Sequence, residues 1–197
     1  MTNPILAIDT TSDWGSLALM EGTTLVEELA LHSPDGFGHV LFDEIDKILA
    51  RHRCSLEDIG RIATAAGPGS FTGVRVGLSA AKGLTEVLGI PIVGVSNLRA
   101  VASFGTGPLR AAAIDARRGD IFGAVYDASG NLVQEETVMP YRTWLETLPD
   151  GVELLPMTPR YLAAAVARIA AALPPQDPLI VDANYVRRSD AELFWKD

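Results

Sequence analysis

The chain has 197 residues, of which 48% are apolar, and its formal net charge is -9 at pH 7. This apolar share is enough to bury a core, whereas the negative charge opposes direct, extended contact with a phosphate backbone, because such contact depends on clustered lysine and arginine. The longest stretch without a charged residue, 62–74, is shorter than the roughly 20 residues that cross a bilayer. We therefore expect a globular protein without a transmembrane helix. The N-terminus lacks a basic region, which predicts no signal peptide, and the single Cys54 permits no internal disulfide and fits a reducing cytoplasm.

The beginning of the chain predicts a three-stranded antiparallel meander followed by a helix. Apolar and β-branched runs alternate with polar turns, and the first run ends in the carboxylate of Asp9, just before the hydroxyl-rich turn 10–13. The predicted strands are 5–9, 16–20 and 24–31. A helix is predicted over 39–53, because its apolar residues recur at intervals of three and four.

A strand at 62–66, the turn Gly67-Pro68-Gly69 and a helix over 70–88 form the centre of the pattern. Ser70 lies where a helix N-cap belongs. Two apolar faces are predicted on this helix, so we expect it to pack on two sides. The first comprises Phe71, Val74, Leu78, Ala81, Thr85 and Leu88, and the second Val76, Ala80, Leu84 and Val87. Its small residues would let another helix approach closely.

The glycine turn is compatible with more than one use. Glycine amides before a helix favour an anion, yet the spacing matches neither G-x-x-x-x-G-K-[ST] nor G-x-G-x-x-G. A nucleophile elbow requires G-x-S-x-G, and Pro68 stands two residues before Ser70. From the residues alone we favour a close strand-to-helix connection, with phosphate binding as the alternative.

The second half repeats the pattern of the first. A strand at 90–95 and a short helix capped by Ser96 lead to the glycine-rich segment 103–109, and AAAID at 111–115 then resembles ILAID at 5–9. Further strands are predicted at 121–126, 132–138, 152–155 and 178–182, further helices at 141–148 and 160–173, and an extended tail at 184–195. We infer two related α/β halves, 1–102 and 103–197.

The stretches ILAIDTTSDWGSLAL, GPGSFTGVRVGLSAAKGL and IDARRGDIFGAVY resemble the TsaB (YeaZ) family of bacterial tRNA-modification proteins, and the likeness extends to Tyr185-Val186-Arg187. The resemblance implies an α/β, actin-like (ASKHA) fold with two ribonuclease H-like lobes, the second reduced. The implied N-terminal lobe carries the partner interface.

The resemblance also implies a function in the cytoplasm. Family members act with TsaD and TsaE in the transfer of threonylcarbamoyl to adenosine 37 of tRNA. TsaD, the catalytic subunit, carries a metal-binding H-x-x-x-H where Asn97 and Val101 stand here, and these side chains cannot replace two imidazoles. We therefore expect a non-catalytic scaffold without metal or catalytic residues, which contacts tRNA through the complex and can form homodimers when alone.

Two sets of site residues follow from the resemblance. The TsaD interface is expected to include His39, Val40, Phe42, Asp43, Asp46, Phe71, Arg75, Gly77, Leu78, Ala81 and Lys82. A vestigial nucleotide cleft is expected at Asp9, Thr10, Thr11, Gly67, Gly69, Ser70 and Asp115. For the cleft we favour a structural remnant and expect no cofactor, with weak ATP or ADP binding at the TsaD interface left open.

Three rival functions remain at this point. The chain could be a glycoprotease-like peptidase, although neither a supported Ser-His-Asp arrangement nor a zinc motif is found. It could be an ATP-binding or kinase-like protein of the actin-like superfamily. It could also be a homodimeric binding module unrelated to tRNA.

Overall fold

The computed structural model describes residues 3–157 and 160–186, which form a mixed α/β structure with two sheets. The strands are β1 (Ile5–Asp9), β2 (Gly15–Glu21), β3 (Thr24–Leu31), β4 (Arg61–Ala65), β5 (Ile92–Val95), β6 (Leu109–Asp115), β7 (Asp120–Asp127), β8 (Leu132–Pro140) and β9 (Glu153–Leu154). The helices are α1 (Leu41–Arg51), α2 (Phe71–Leu88), α3 (Asn97–Ala102), α4 (Tyr141–Glu146) and α5 (Ala163–Ala172). Short 3-10 turns at Phe37–His39 and Leu56–Asp58 precede α1 and β4.

The first sheet has the strand order β3-β2-β1-β4-β5. β1 pairs antiparallel with β2 and parallel with β4, so the meander continues into a parallel sheet. Because successive side chains of a strand point to opposite faces, Leu6 and Ile8 of β1 join the core beneath α1 and α2, whereas Ile5 and Ala7 join the core beneath α5. Helices therefore cover this sheet on both faces.

The second sheet, of order β8-β7-β6-β9, repeats the meander and adds β9 in parallel to β6. One of its faces packs on the fully buried Trp144 of α4, together with Ala113 and Val125. Its other face, with Ala112 and Ala124, joins the core that lies beneath α5. This repeat confirms the α/β fold of two related halves.

Helix α5 connects the halves physically, because it comes late in the chain but packs on the first sheet. Its core residues pack in one cluster with those of β1, β2 and β4. The guanidinium of Arg61 donates to the carbonyl oxygens of Ala170, at 2.5 Å, and Leu173, at 3.1 Å. The division at 102/103 stays a prediction, and any such division leaves α5 on the sheet of the first half.

The predicted meanders, the strand–turn–helix at 61–88 and the short helix after Ser96 are confirmed. The strand predicted at 178–182 is wrong: the Ile180 amide donates to Asp177 O at 3.0 Å, which closes a turn, and Pro178 has no amide to give a ladder. Helix α5 begins at Ala163, three residues later than expected. Most of the predicted extended tail, from residue 187 onward, lies outside the described residues.

The expectation that α2 packs on two sides stays a prediction, because within the described residues the helix packs on the core of the first sheet and the other side is left to a partner. Its buried face includes Val74, Leu78 and Ala81, which lie in the core of the first sheet. Two other apolar residues of the helix are exposed: Val87, away from the buried face, is 83% exposed, and Phe71, at the N-terminal end of the helix, is 49% exposed. Part of the apolar surface of α2 is therefore open, although Val76 and Leu84 of the second predicted face pack partly against the core. In the described part of the chain, no helix is long and apolar enough to cross a membrane.

Glycine lets α2 approach the turn after β1. A Cβ atom on Gly73 would lie 2.0 Å from the Thr10 carbonyl oxygen, whereas a Cβ on Gly83, in the same helix, would meet open space. The two glycines therefore form a matched pair for substitution by alanine.

We expect Gly83→Ala to raise the free energy of unfolding by about 0.5–1 kcal/mol, through helix propensity. Gly73→Ala should lower it by about 2 kcal/mol or more, because the helix must move away from the turn. Urea denaturation followed by circular dichroism measures both. Equal effects of the two substitutions would contradict the close approach.

Candidate functional site

The turn after β1 is the first candidate site, because it holds the cleft residues predicted from the sequence. Asp9 is 1% exposed, and its Oδ1 accepts hydrogen bonds from the Thr11 amide at 2.9 Å and from Thr11 Oγ1 at 2.6 Å. Thr10 Oγ1 donates to the Gly73 carbonyl oxygen of α2 at 2.7 Å. The side chains of the turn thus form hydrogen bonds within the chain.

Burial dominates the electrostatics of Asp9. Burial raises the pKa of this carboxyl group, the hydrogen bonds from Thr11 and the nearby backbone of Leu162 lower it, and the charge of Glu28 raises it further. Within the described residues, Asp9 Oδ2 has no hydrogen-bond partner. A buried, half-satisfied carboxylate is costly, so the pKa of Asp9 is higher in the folded protein than in the unfolded chain.

Asn97 closes the turn from the side of α3. It is 2% exposed, and its Nδ2 donates to Thr11 Oγ1 at 2.5 Å and to Pro68 O at 3.1 Å, while its Oδ1 accepts from the Gly67 amide at 3.1 Å. All of these bonds lie within the chain. The side chain aligned with a TsaD histidine therefore fastens the glycine turn to the turn after β1.

The glycine turn itself is packed against the same segment. The Ser70 amide donates to Thr11 O at 2.7 Å, and a Cβ on Gly69 would lie 2.5 Å from that oxygen. Ser70 Oγ accepts from the Gly73 amide at 3.3 Å as the N-cap of α2. The structure thus brings six of the predicted cleft residues together, but their side-chain polar atoms already have partners apart from Asp9 Oδ2.

Asp115, the seventh predicted cleft residue, is in a different environment. It is exposed and accepts from the Arg117 amide at 2.8 Å, in the same i to i+2 pattern as Asp9 and Thr11. Arg117 also forms an ion pair with Asp13 at 3.3 Å, and both side chains are largely exposed. Such a pair contributes little stability, so the turns of the two halves meet without forming a second buried site.

A groove between α1 and α2 is the second candidate site. Its cavity volume is about 550 Å³. The aromatic rings of Phe42 and Phe71 line the groove, and these side chains are 53% and 49% exposed. The lining residues are Gly38, Leu41, Phe42, Phe71, Thr72, Arg75, Val76, Ser79 and Ala80. Large apolar side chains that remain exposed together mark binding surfaces.

Arg75 and Tyr185 extend this groove. The Arg75 guanidinium lies 3.8 Å from the centre of the Phe71 ring, and its Nε donates to Tyr185 Oη at 3.1 Å. The rings of Phe71 and Tyr185 are 5.6 Å apart. The result is an ordered, partly apolar patch carrying one positive charge, which we call the Phe71 patch (Phe71, Arg75 and Tyr185).

Most of the predicted interface residues lie on the outer side of α1 and α2. His39, Phe42, Asp43, Asp46, Phe71 and Arg75 are exposed, and Val40 and Lys82 are half-buried. Gly77, Leu78 and Ala81 are instead buried against the sheet of their own chain. This corrects the expectation for these three residues: a Cβ on Gly77 would lie 2.7 Å from Thr10 Oγ1, so a bulky charge there would disturb the fold and not a surface alone.

Sequence reasoning also missed part of the groove. Thr72, Val76 and Ser79 line it, and their helical spacing from Phe71 and Arg75 could have indicated this. Tyr185 reaches the groove from a distant part of the chain, for which the sequence carries no periodic signal.

Two of the histidines contact a carboxylate or an aromatic ring, and not another histidine. His52 Nε2 lies 2.7 Å from Glu27 Oε2, and the ring of His32 stacks on Trp14 at 4.1 Å between ring centres. Across the described ranges, no group of three or more His, Cys, Asp and Glu side chains could hold a metal ion.

Comparison with known proteins shows which protein family this chain is similar to. Residues 38–155 match the model of a family described as TsaD: tRNA N6-adenosine threonylcarbamoyltransferase. The chain is 32% identical over 153 residues to the tRNA threonylcarbamoyladenosine biosynthesis protein TsaB of Bacillus subtilis, covering 74% of this chain and 66% of that protein. It is 39% identical over 139 residues to TsaB of Escherichia coli, covering 68% of this chain and 60% of that protein. The chain thus matches less than two thirds of the length of these relatives.

A solved structure, YeaZ from Pseudomonas aeruginosa, superimposes with a TM-score of 0.78 at 22% identity and covers 94% of this chain and 100% of that one. This similarity shows a shared fold.

Replacing Asp9 by asparagine tests whether its carboxyl group is a buried structural group. Because the pKa is raised in the folded state, the folded protein holds this proton more firmly than the unfolded chain, so the contribution of Asp9 to stability falls as the pH rises from about 4 through the raised pKa. We expect Asp9→Asn to be more stable than wild type at pH 7, with an advantage that shrinks toward pH 4.

The matched control is Asp115→Asn, the exposed residue at the corresponding strand end of the second half. Urea unfolding at several pH values between 4 and 8 gives both differences from wild type. A loss of stability in Asp9→Asn that grows as the pH rises would contradict the burial account.

Proposed function

The chain belongs to the TsaB (YeaZ) family, and we propose that it is a non-catalytic subunit of a tRNA threonylcarbamoyladenosine synthesis complex, in which it binds and activates a TsaD-like catalytic subunit. The observation that carries the proposal is the open groove between α1 and α2, beside a buried turn whose polar groups are used within the chain. The groove is exposed and can receive a partner. The polar side chains of the turn after β1 are bonded within the chain, which leaves them unable to act on a substrate.

A TsaD-like subunit suits this groove because the TsaD-type family match spans both α1 and α2. Related subunits often pair through the same elements about an approximate two-fold axis. Exposed Asp43 and Asp46 lie on α1, whereas Arg75 and Lys82 lie on α2. In a two-fold arrangement Asp43 and Asp46 of one subunit can lie opposite Arg75 and Lys82 of the other, which favours a related partner or, when that partner is absent, a second copy of this chain.

The residues of the buried turn support a non-catalytic role. A peptidase requires an activated nucleophile, but Ser70 Oγ accepts a hydrogen bond as a helix cap, and burial raises the pKa of the Cys54 thiol. Asn97 occupies a position where the resemblance expects a metal-binding histidine, and it is fully engaged with the glycine turn. These contacts count against the glycoprotease alternative.

The same packing leaves little room for a nucleotide phosphate at the glycine turn. Amides that would cradle a phosphate, such as those of Gly67 and Ser70, already donate to Asn97 and Thr11. We propose that the isolated chain binds no nucleotide at this turn and that any ATP or ADP bound at the junction requires the catalytic subunit.

With a net charge of -9, the chain would contact tRNA through the complex, together with a TsaE-like ATPase in the cytoplasm.

Reconstitution tests the function directly. The TsaD-like and TsaE-like proteins of the same source would be assayed for threonylcarbamoylation of tRNA with and without this chain, and complexes would be sized by chromatography with light scattering. We expect a rate that depends on this chain and a complex that contains it. An equal rate without it, and no complex, would overturn the proposal.

Phe42→Asp and Phe71→Asp should each weaken binding of the TsaD-like subunit by about tenfold or more, because aromatic side chains at the centre of an interface contribute more than 1 kcal/mol each. Both side chains are about half exposed, so thermal stability should change little. Isothermal titration calorimetry measures the affinity.

Val133→Asp is the matched control, because Val133 is 52% exposed on β8 of the second sheet, away from the groove. Its affinity should equal that of wild type. If all three variants bind equally well, the groove is not the docking surface.

A further inference from the structure

A short segment near the end of the described chain connects the second sheet to the docking groove. Asn184 donates its backbone amide to Ala66 O at 2.8 Å, at the end of β4. Its side-chain Nδ2 donates to Glu136 Oε2, on β8, at 2.5 Å. Asn184 is therefore fixed from both halves of the chain at once.

Glu136 is the centre of this connection. Its Oε1 accepts from Tyr126 Oη at 2.6 Å and also from Ser96 Oγ, the N-cap residue of α3, while Oε2 accepts from Asn184. Burial and the hydrogen bond to Glu136 raise the pKa of Tyr126, so this phenol stays a donor. Hydrogen bonds to a carboxylate are among the stronger ones in proteins, so Glu136 holds three elements together.

The residue after Asn184 belongs to the Phe71 patch. Tyr185 is 45% exposed, with its ring against Phe71 and its hydroxyl oxygen accepting from Arg75 Nε. Consecutive Cα atoms are only about 3.8 Å apart, so fixing Asn184 restricts where the Tyr185 ring can lie. The contacts of Glu136 therefore extend, through one residue, to the rim of the groove.

We propose that Glu136 is a positioning residue for the docking surface: by holding Asn184, it sets Tyr185 against Phe71 and Arg75, and the segment 183–186 thereby becomes the third element of the surface, after α1 and α2. This inference rests on the proposed function, with the TsaD-like catalytic subunit as the occupant. It makes the affinity for that subunit depend on the second sheet, which does not touch the groove itself.

The test compares Glu136→Gln, Tyr185→Ala and the double variant in the 197-residue chain, with affinity for the TsaD-like subunit measured by calorimetry. Glutamine replaces an acceptor oxygen with a donor, so at least one of the three hydrogen bonds is lost. We expect about a tenfold loss of affinity for Tyr185→Ala and about a three- to tenfold loss for Glu136→Gln. The double variant should bind no more weakly than Tyr185→Ala alone, because Glu136 acts through Tyr185.

The matched control is Glu135→Gln, an exposed carboxylate adjacent on β8, which should leave affinity unchanged. Hydrogen exchange gives a second measurement that needs no partner: the Asn184 amide, bonded to Ala66 O, should exchange faster in Glu136→Gln than in wild type. If Glu136→Gln does not fold, Asn184→Ala replaces it in both measurements with the same expectations.

The outcomes separate this inference from the function on which it rests. Failure of the wild-type chain to bind the TsaD-like subunit refutes the proposed function, while hydrogen exchange still tests the anchor. Binding by wild type with unchanged affinity in Tyr185→Ala or Glu136→Gln overturns the inference and leaves the function standing. Additive losses in the double variant also overturn it, since Glu136 would then act by another route.

Discussion

Helix α2 lies in direct backbone contact with the turn after β1, and this contact shapes both candidate sites. Gly73 permits backbone contact with Thr10, and Thr10 Oγ1 then bonds the Gly73 carbonyl oxygen. This contact fixes the start of α2, and with it the glycine turn, against the residues that follow Asp9. The turn is thereby filled by the chain's own hydrogen bonds, and Asp9 becomes a buried group with a raised pKa.

The same constraint turns the other side of α2 outward. With its small residues against the sheet, the helix presents Phe71 and Arg75 to the solvent, beside Phe42 of α1. A surface of this kind suits a partner that carries a related helix pair. We propose a docking surface on the outer face of the first half, to which Glu136 of the second sheet contributes through Asn184 and Tyr185.

Local sequence patterns predicted the strands and helices well and the site only in part. Alternating apolar runs predicted both meanders, and Ser70 predicted the start of α2, because strand alternation and capping are local effects. They could not show which face of α2 is buried, since Gly77, Leu78 and Ala81 fit a partner surface as well as the protein's own sheet. The cluster at Glu136 joins residues 96, 126 and 184. Such long-range convergence leaves no periodic trace in a single sequence.

The most direct test of the central claim separates the groove from the buried turn in one activity measurement. The threonylcarbamoylation rate of the TsaD-like subunit, with its TsaE-like partner, would be followed as increasing amounts of wild type, Asp9→Asn or Phe71→Asp are added. The account predicts that Asp9→Asn stimulates the reaction as fully as wild type, whereas Phe71→Asp requires a much higher concentration. Loss of stimulation in a well-folded Asp9→Asn, with Phe71→Asp fully active, would contradict it and place the function in the turn.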